Sequence, residues 1–463
     1  MTKIMASRTF RRASRRRVVS KTRLLAVTLV AGACAAVGLA APPAFAASAG
    51  VGPVVDVSSA CPRQNAEVEQ ATAPPNYVYE AWIGCHGEGF ARSVDGGATF
   101  SAPITLPDSS GSDDPAISVA SDGTVYVSYL RYHDNFAYPV VATSFDHGAT
   151  FTQAASLIPA VAGNWGDRDF IAAGPGGTVY VTWDYGPSAA DVNIVCPPSG
   201  SCAYANVDAT AVVQKSTDHG KTWGPITPME PGFPAGGGYD ASIVVQPNGV
   251  VDALMINHPL APGTFAVSPG NELFTSSSDG GQTWSPAVVV GGSAGTLSDT
   301  EWWIDGDLSR DVAGNLYATW DTQSPSGDSD VGWLSYSTDR GSTWSAPIQV
   351  TPDQVSTMHN VESVGATPGV AEVAWQSDAS PQGDTPGYAI YLRPFSIKAG
   401  WLAPITQVSS QYGDPAIWPG DTFGISLPPA GIGLTTPVQV DLSWGSAVGG
   451  SQDSEIYATV VNR

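Results

Sequence analysis

One octapeptide returns five times along this 463-residue chain, and no other feature constrains its fold as tightly. It reads Ser93 to Phe100 (SVDGGATF), Ser144 to Phe151 (SFDHGATF), Ser216 to Trp223 (STDHGKTW), Ser277 to Trp284 (SSDGGQTW) and Ser337 to Trp344 (STDRGSTW), with starts 51, 72, 61 and 60 residues apart. Repeats at such spacings belong to propellers and solenoids, in which each unit buries its apolar faces against its neighbours. Each copy makes sense as a hairpin turn. The Asp carboxylate and the Ser and Thr hydroxyls can hold turn N–H groups, the Gly accepts a positive φ, and the terminal aromatic packs inward.

The flanks repeat as well. A strand beginning with Pro follows the aromatic, as in Phe100-Ser-Ala-Pro-Ile104, Trp223-Gly-Pro-Ile226 and Trp344-Ser-Ala-Pro-Ile348. Trp401-Leu-Ala-Pro-Ile405 keeps this frame, so residues 393–401 form a sixth, degenerate copy without its Asp. Between copies lie an apolar strand, a Gly turn and an alternating strand. Counting Gln64 to Trp82 and Asp414 to Trp444 gives seven such pairs. The last unit ends on Glu455 to Val461 with no fourth strand, while Val51-Gly-Pro-Val-Val55 repeats the Gly-Pro-Ile phrase near the other end. The expected fold is therefore an all-β propeller of four-stranded antiparallel blades, seven in number, its ring closed by the N-terminal strand. Closure of that kind removes exposed sheet edges. Six blades with an appended hairpin is the alternative.

The octapeptides resemble the Asp boxes, or BNR repeats, of sialidases and related β-propellers, and the resemblance spans residues 47–463. It implies a secreted, sialidase-like glycoside hydrolase acting at the channel mouth. A non-catalytic propeller that binds a glycan, a cell-wall polymer or a protein is the rival reading. Gly238-Tyr239-Asp240 before Ile243 to Val251 looks like the sialidase segment that supplies a Tyr nucleophile, with Glu301 drawing off its proton, and Tyr412-Gly413-Asp414 is a competing position. Asp240 and Asp167 stand at inner-strand starts as further carboxylates for acid and base work. Arg63, Arg131 and Arg168 are the cations, and Trp165 and Trp302 the aromatics, assigned to substrate binding. A working sialidase also carries an Arg in a Phe/Tyr-Arg-Ile-Pro segment, which this sequence lacks.

Charge narrows the partners. Nine of the 20 basic residues precede residue 47, where there is no acid; the rest of the chain holds eleven against 42 acidic residues, a net charge of −31. Such a field repels nucleic acid and anionic membrane. Residues 1–46 read as a signal peptide: a head rich in Arg, an apolar run from Leu24 to Ala40, and Ala44-Phe45-Ala46 before the cleavage point. The expectation is a secreted monomer exported by the Sec or twin-arginine route, a lipid anchor on Cys34 being a poor motif match. In an oxidising compartment Cys61 with Cys85 and Cys196 with Cys202 are expected disulfides, the shortest closures among three connectivities. No cofactor is required. Asp305, Asp307, Ser309 and Asp311 alternate like the start of a calcium loop in an enlarged turn, though without its Gly or distal Glu.

Overall fold

The computed structural model describes residues 50–463 apart from 134–135, 152, 158–164, 187–192, 196–202, 206–209, 230–237, 258–270, 292–305, 324–329, 353–355, 357–358 and 429–438. Seven antiparallel sheets follow one another around a ring. Their inner strands are Ala66–Ala73, Ser112–Val119, Trp165–Ala173, Gly238–Val245, Asp307–Arg310, His359–Thr367 and Gly424–Ser426, each touching the next and the last touching the first. Outward from the first run Tyr77–Gly84, Gly87–Ser93 and Ile104–Thr105, and this order recurs in every blade. In the sixth, two short strands, Gly400–Trp401 and Thr406–Gln407, share the outer edge of Ala389–Ser396. The chain is a seven-bladed β-propeller, and the six-bladed alternative falls.

Closure is as the repeat arithmetic anticipates. Blade seven is Gly424–Ser426, Gln439–Ser446, Glu455–Asn462 and, from the other end of the chain, Val55–Asp56. Val55 faces Ala458 and Asp56 faces Tyr457. Gly52 N donates to Val460 O at 2.8 Å, and Asn462 N to Gly50 O at 2.8 Å.

The boxes form the turns between third and fourth strands. In the first, Ser93 Oγ donates to Asp95 Oδ1 (2.7 Å) and accepts from Gly97 N (2.9 Å), while Thr99 gives its N–H to Oδ1 (2.9 Å) and its hydroxyl to Oδ2 (2.7 Å). The same four bonds recur in the other four boxes, all between 2.6 and 2.9 Å. The degenerate copy keeps only the acceptor role of its Ser: Ser396 Oγ accepts from Lys398 N and Ala399 N without any carboxylate. The box aromatic packs on the preceding blade, Phe151 on Phe90 and Trp344 on Phe274. A Cβ on Gly341 would stand 1.9 Å from the Phe274 ring, so the box Gly answers to close approach as well as to its φ of 83°.

Second strands carry the core. Trp82, Trp183, Trp320 and Trp375 are fully buried at one common level, and Tyr129, Met255 and Trp444 hold that level in the other blades. The Cys61–Cys85 disulfide ties the segment after the closing strand to the turn between second and third strands of blade one. Cys196 and Cys202 lie outside the described residues. Replacing Cys61 and Cys85 together by Ala should cost about 3 kcal/mol, since the bond closes a loop of 24 residues in the unfolded chain. Urea unfolding under oxidising conditions measures this; an unchanged midpoint would mean that the closing strand holds without its staple.

Candidate functional site

The face opposite the boxes collects the starts of the inner strands, and there the sheets depart from regularity. Each of the first four inner strands shifts register near its start: between Ala66 and Val68, Asp113 and Ala116, Asp167 and Phe170, and Tyr239 and Ser242. In three of them the first bulge residue has positive φ, at 48° for Glu67, 54° for Asp114 and 51° for Arg168. That conformation in a bulge ordinarily belongs to Gly. A charged side chain there costs on the order of 1–3 kcal/mol, and such strain concentrates at functional sites. The bulges fall at the starts of inner strands from several blades, all on this one face.

Two groups of charge result. In the first, Arg168 of blade three reaches Asp421 of blade seven, Nη2 to Oδ2 at 3.1 Å, both side chains buried. The two blades stand nearly opposite in the ring, so this ion pair crosses the channel. The Asp421 segment meets other blades as well: Glu67 N donates to Pro419 O, Gln64 Nε2 to Trp418 O, and Phe423 N to Glu362 Oε1 at 3.3 Å. These contacts tie the Asp421 segment to blades one, three and six.

The second group lies between blades one, two and three. Glu88, which opens the third strand of blade one, is fully buried. Burial, and then the neighbouring charges of Asp113, Asp114 and Asp169, hold its carboxyl well above the usual range. Ser112, the polar group that opposes the shift, donates its hydroxyl to Ser109 O, so it has no proton left for Glu88. Tyr129 donates to Pro107 O, and burial, then Glu88 and Asp108, push its phenol upward. A buried acid that keeps its proton beside half-buried carboxylates is the kind of split that acid and base catalysis draws on.

Of the residues singled out from the sequence, Arg168 stands at the mouth, held by Asp421. Arg131 lies at the rim, paired with Asp108. Arg63 is exposed in the segment before the first inner strand, its carbonyl accepting from Asn65 Nδ2 at 2.9 Å. Both bonded arginines are thus committed to protein carboxylates. Trp165 and Asp167 sit in the inner strand of blade three, and Tyr239 and Asp240 at the bulge of blade four, placed by backbone alone. Glu301, Trp302 and Asp305 lie outside the described residues.

The calcium-loop reading is corrected in one respect. Asp307 and Ser309 belong to an inner strand, Asp307–Arg310, rather than to an enlarged turn. Asp307 Oδ2 accepts from Ser363 N at 3.1 Å, and Ser309 shares a 2.8 Å hydrogen bond with the Ser363 hydroxyl. Asp311 follows the strand and takes donors from Ala313 N, Asn315, Tyr317 and Gly369 N. These oxygens hold blade five to blade six. Among the described residues no group of three or more His, Cys, Asp or Glu is placed to hold a metal.

Sequence reasoning passed over Glu67, Glu88, Asp113, Asp114 and Asp421. A signal for Asp113 and Asp114 was available: Asp113-Asp114-Pro115 occupies the same place in its blade as Asp167-Arg168-Asp169 and Tyr239-Asp240-Ala241.

No family model and no curated protein matches the chain. Among solved structures, an ulvan-degrading polysaccharide lyase is similar at 11% identity and a TM-score of 0.55, over 89% of this chain and 96% of that one. A variant of the NanB sialidase from Streptococcus pneumoniae is similar at 11% identity and a TM-score of 0.51, over 76% of this chain and 68% of that one. At such identities the likeness is one of fold. Together with the five boxes and the seven closed blades, it gives this chain the fold of the sialidase-like Asp-box β-propellers.

Proposed function

We propose that the protein is an extracellular glycan-acting hydrolase whose site is the bulged, inner-strand mouth of the propeller. The observation that carries this reading is the set of aligned bulges, which bring Glu67, Asp114 and Arg168 to one face at the expense of backbone strain. The ulvan lyase and the sialidase with which the chain shares its fold act on glycans. In this reading Asp114, half-buried and beside the proton-holding Glu88, is the acid or base that meets the glycosidic oxygen. Tyr239 is the nucleophile, with Glu301, Asp240 and Asp167 as the further carboxylates of the site. Trp165 and Trp302 offer stacking faces. Action outside the cell rests on the export segment in residues 1–46; no helix among the described residues is long and apolar enough to cross a membrane.

The Arg168–Asp421 bridge favours a second reading, a recognition module. It engages the buried cation of the mouth, which is then not available to a substrate anion.

Hydrolysis of a panel of fluorogenic glycosides, an α-sialoside among them, separates the two. Asp114→Asn and Tyr239→Phe should each lower turnover by roughly 10²–10⁴-fold with an unchanged melting temperature. Glu301→Gln should fall in the same range. Absence of turnover on every substrate, together with binding on a glycan array, would replace the hydrolase by the recognition module.

A further inference from the structure

The eleven basic residues that follow the export segment all fall within the described residues, so every Lys and Arg can be placed relative to the mouth. Eight stand on the box side or on outer strands. Arg92 donates to His147 O within the second box, Lys215 is next to last in a third strand beside Tyr180, Lys221 and Arg340 are box residues, and Arg310 ends an inner strand. Lys398 lies in the degenerate turn, Arg393 over the Trp401 ring, and Arg463 against Glu372. The mouth keeps only Arg63, Arg131 and Arg168, and the last two are paired with Asp108 and Asp421.

Acids are distributed the other way. Glu67, Asp113, Asp114 and Asp169 stand at the starts of three inner strands, with Glu88, held toward its neutral form by burial, beside the last three. Neither oxygen of fully buried Glu88 receives a hydrogen bond among the described residues. The segments outside the described residues contain, after residue 49, nine acidic residues and no Lys or Arg, so they add no cation to this face. Within about 10 Å, the Debye length near 0.1 M salt, a ligand entering the mouth meets predominantly negative charge.

We propose that the glycan taken at this mouth carries free amino groups: a cationic amino-sugar oligomer, whose ammonium groups sit against the carboxylates that the bulges present. The inference rests on the proposed function and names the substrate class for that site. A sugar carboxylate finds no such partner, because two of the three guanidinium groups of the mouth are already taken. A neutral sugar gains hydrogen bonds but no charge complementarity.

The test uses the mature protein with short glucosamine oligomers carrying free amines, their fully N-acetylated counterparts and a sialylated oligosaccharide, with binding read by calorimetry at slightly acid pH and low salt. The free-amine oligomer should bind at least tenfold tighter than the acetylated one. That gap should close as sodium chloride rises toward 0.5 M and as pH passes the amine's own ionisation. Asp114→Asn should narrow the preference, while Asp122→Asn on the box side should leave it unchanged, which separates site binding from general attraction to an acidic protein. The salt series on the unaltered protein keeps the test valid should Asp114→Asn fail to fold. Equal or tighter binding of the acetylated or sialylated oligomer overturns the amino-sugar inference and leaves the glycan reading standing. Absence of binding to any of the three, with no turnover on the fluorogenic panel, overturns both.

Discussion

A chain shortened to begin at Ser58 should lose at least half of its resistance to urea and aggregate on refolding. Val57 is buried, and Val51 and Val54 pack against the core of blade seven, so the deletion removes about 3–6 kcal/mol of apolar burial. It also orphans the hydrogen bonds of Val460, Ile456 and Asn462 along an edge that the native ring covers. Against a total stability of about 5–15 kcal/mol, this is a large share. A synthetic peptide spanning residues 50–58 should restore the lost stability in trans, because it supplies the same strand to the same edge. An unfolding midpoint equal to that of the intact chain would show that the other three strands of blade seven close the ring unaided.

Stability should also fall steadily as pH rises from about 4.5 to about 8, opposite to the trend of a protein held by surface carboxylate pairs. The cause lies at one position of the second strands. Blades one, two, three and five place Tyr79, Tyr126, Tyr180 and Tyr317 there, whereas blades four, six and seven place Asp252, Glu372 and Asp441. Burial raises Asp441 from the usual 3.8 to about 7. Glu372 rises from 4.5 to about 7, burial outweighing the nearby Arg463. Across the closing seam, burial lifts Glu80 of blade one to about 8, with Asp441 adding its charge and Gln70 and Ser443 opposing. Gln70 donates to Glu80 at 2.7 Å and accepts from Ser426 at 2.6 Å, so one hydrogen-bonded chain joins the two blades.

The sign follows from proton binding. These carboxyls hold protons in the fold over a range where the unfolded chain has released them, so raising the pH favours unfolding. The stabilising contribution is complete below about pH 4 and gone above about pH 8, and across that range it amounts to several kcal/mol. The box aspartates act in the opposite direction at the acid end. Hydrogen bonds from Thr222 and Ser216 lower Asp218 to about 2, so its contribution is present above the usual 3.8 and lost as pH falls toward 2. Urea midpoints at pH 5, 7 and 9 should therefore descend in that order, and Asp441→Asn should flatten the descent and stabilise the protein at pH 9. A flat or ascending series would remove the seam carboxyls as its cause.

Much of this architecture is local and therefore legible in one dimension. The box turn closes within eight residues through its own Ser, Asp, Gly and Thr, so five copies announce five hairpins. The Gly-Pro phrase at residues 52–53 gave away the closing strand, because it repeats a pattern set by the same outer-strand geometry. The Cys61–Cys85 bond joins segments near in sequence. The mouth is another matter. No Gly marks the bulges at Glu67, Asp114 and Arg168, so their positive φ is imposed by the ring's packing rather than by the residue's own preference. Arg168 and Asp421 are 253 residues apart, and nothing in either neighbourhood names the other. Glu88 reads as an ordinary polar residue at a strand start until two further blades bring Asp113, Asp114 and Asp169 against it. By itself, then, the sequence determined the blade hairpins and their order, through interactions that close within a turn or a hairpin, while the ring settled seven blades over six. Only the closed ring decided which charges meet, because it brings into one small volume groups whose attraction or repulsion depends on distances the linear chain does not contain.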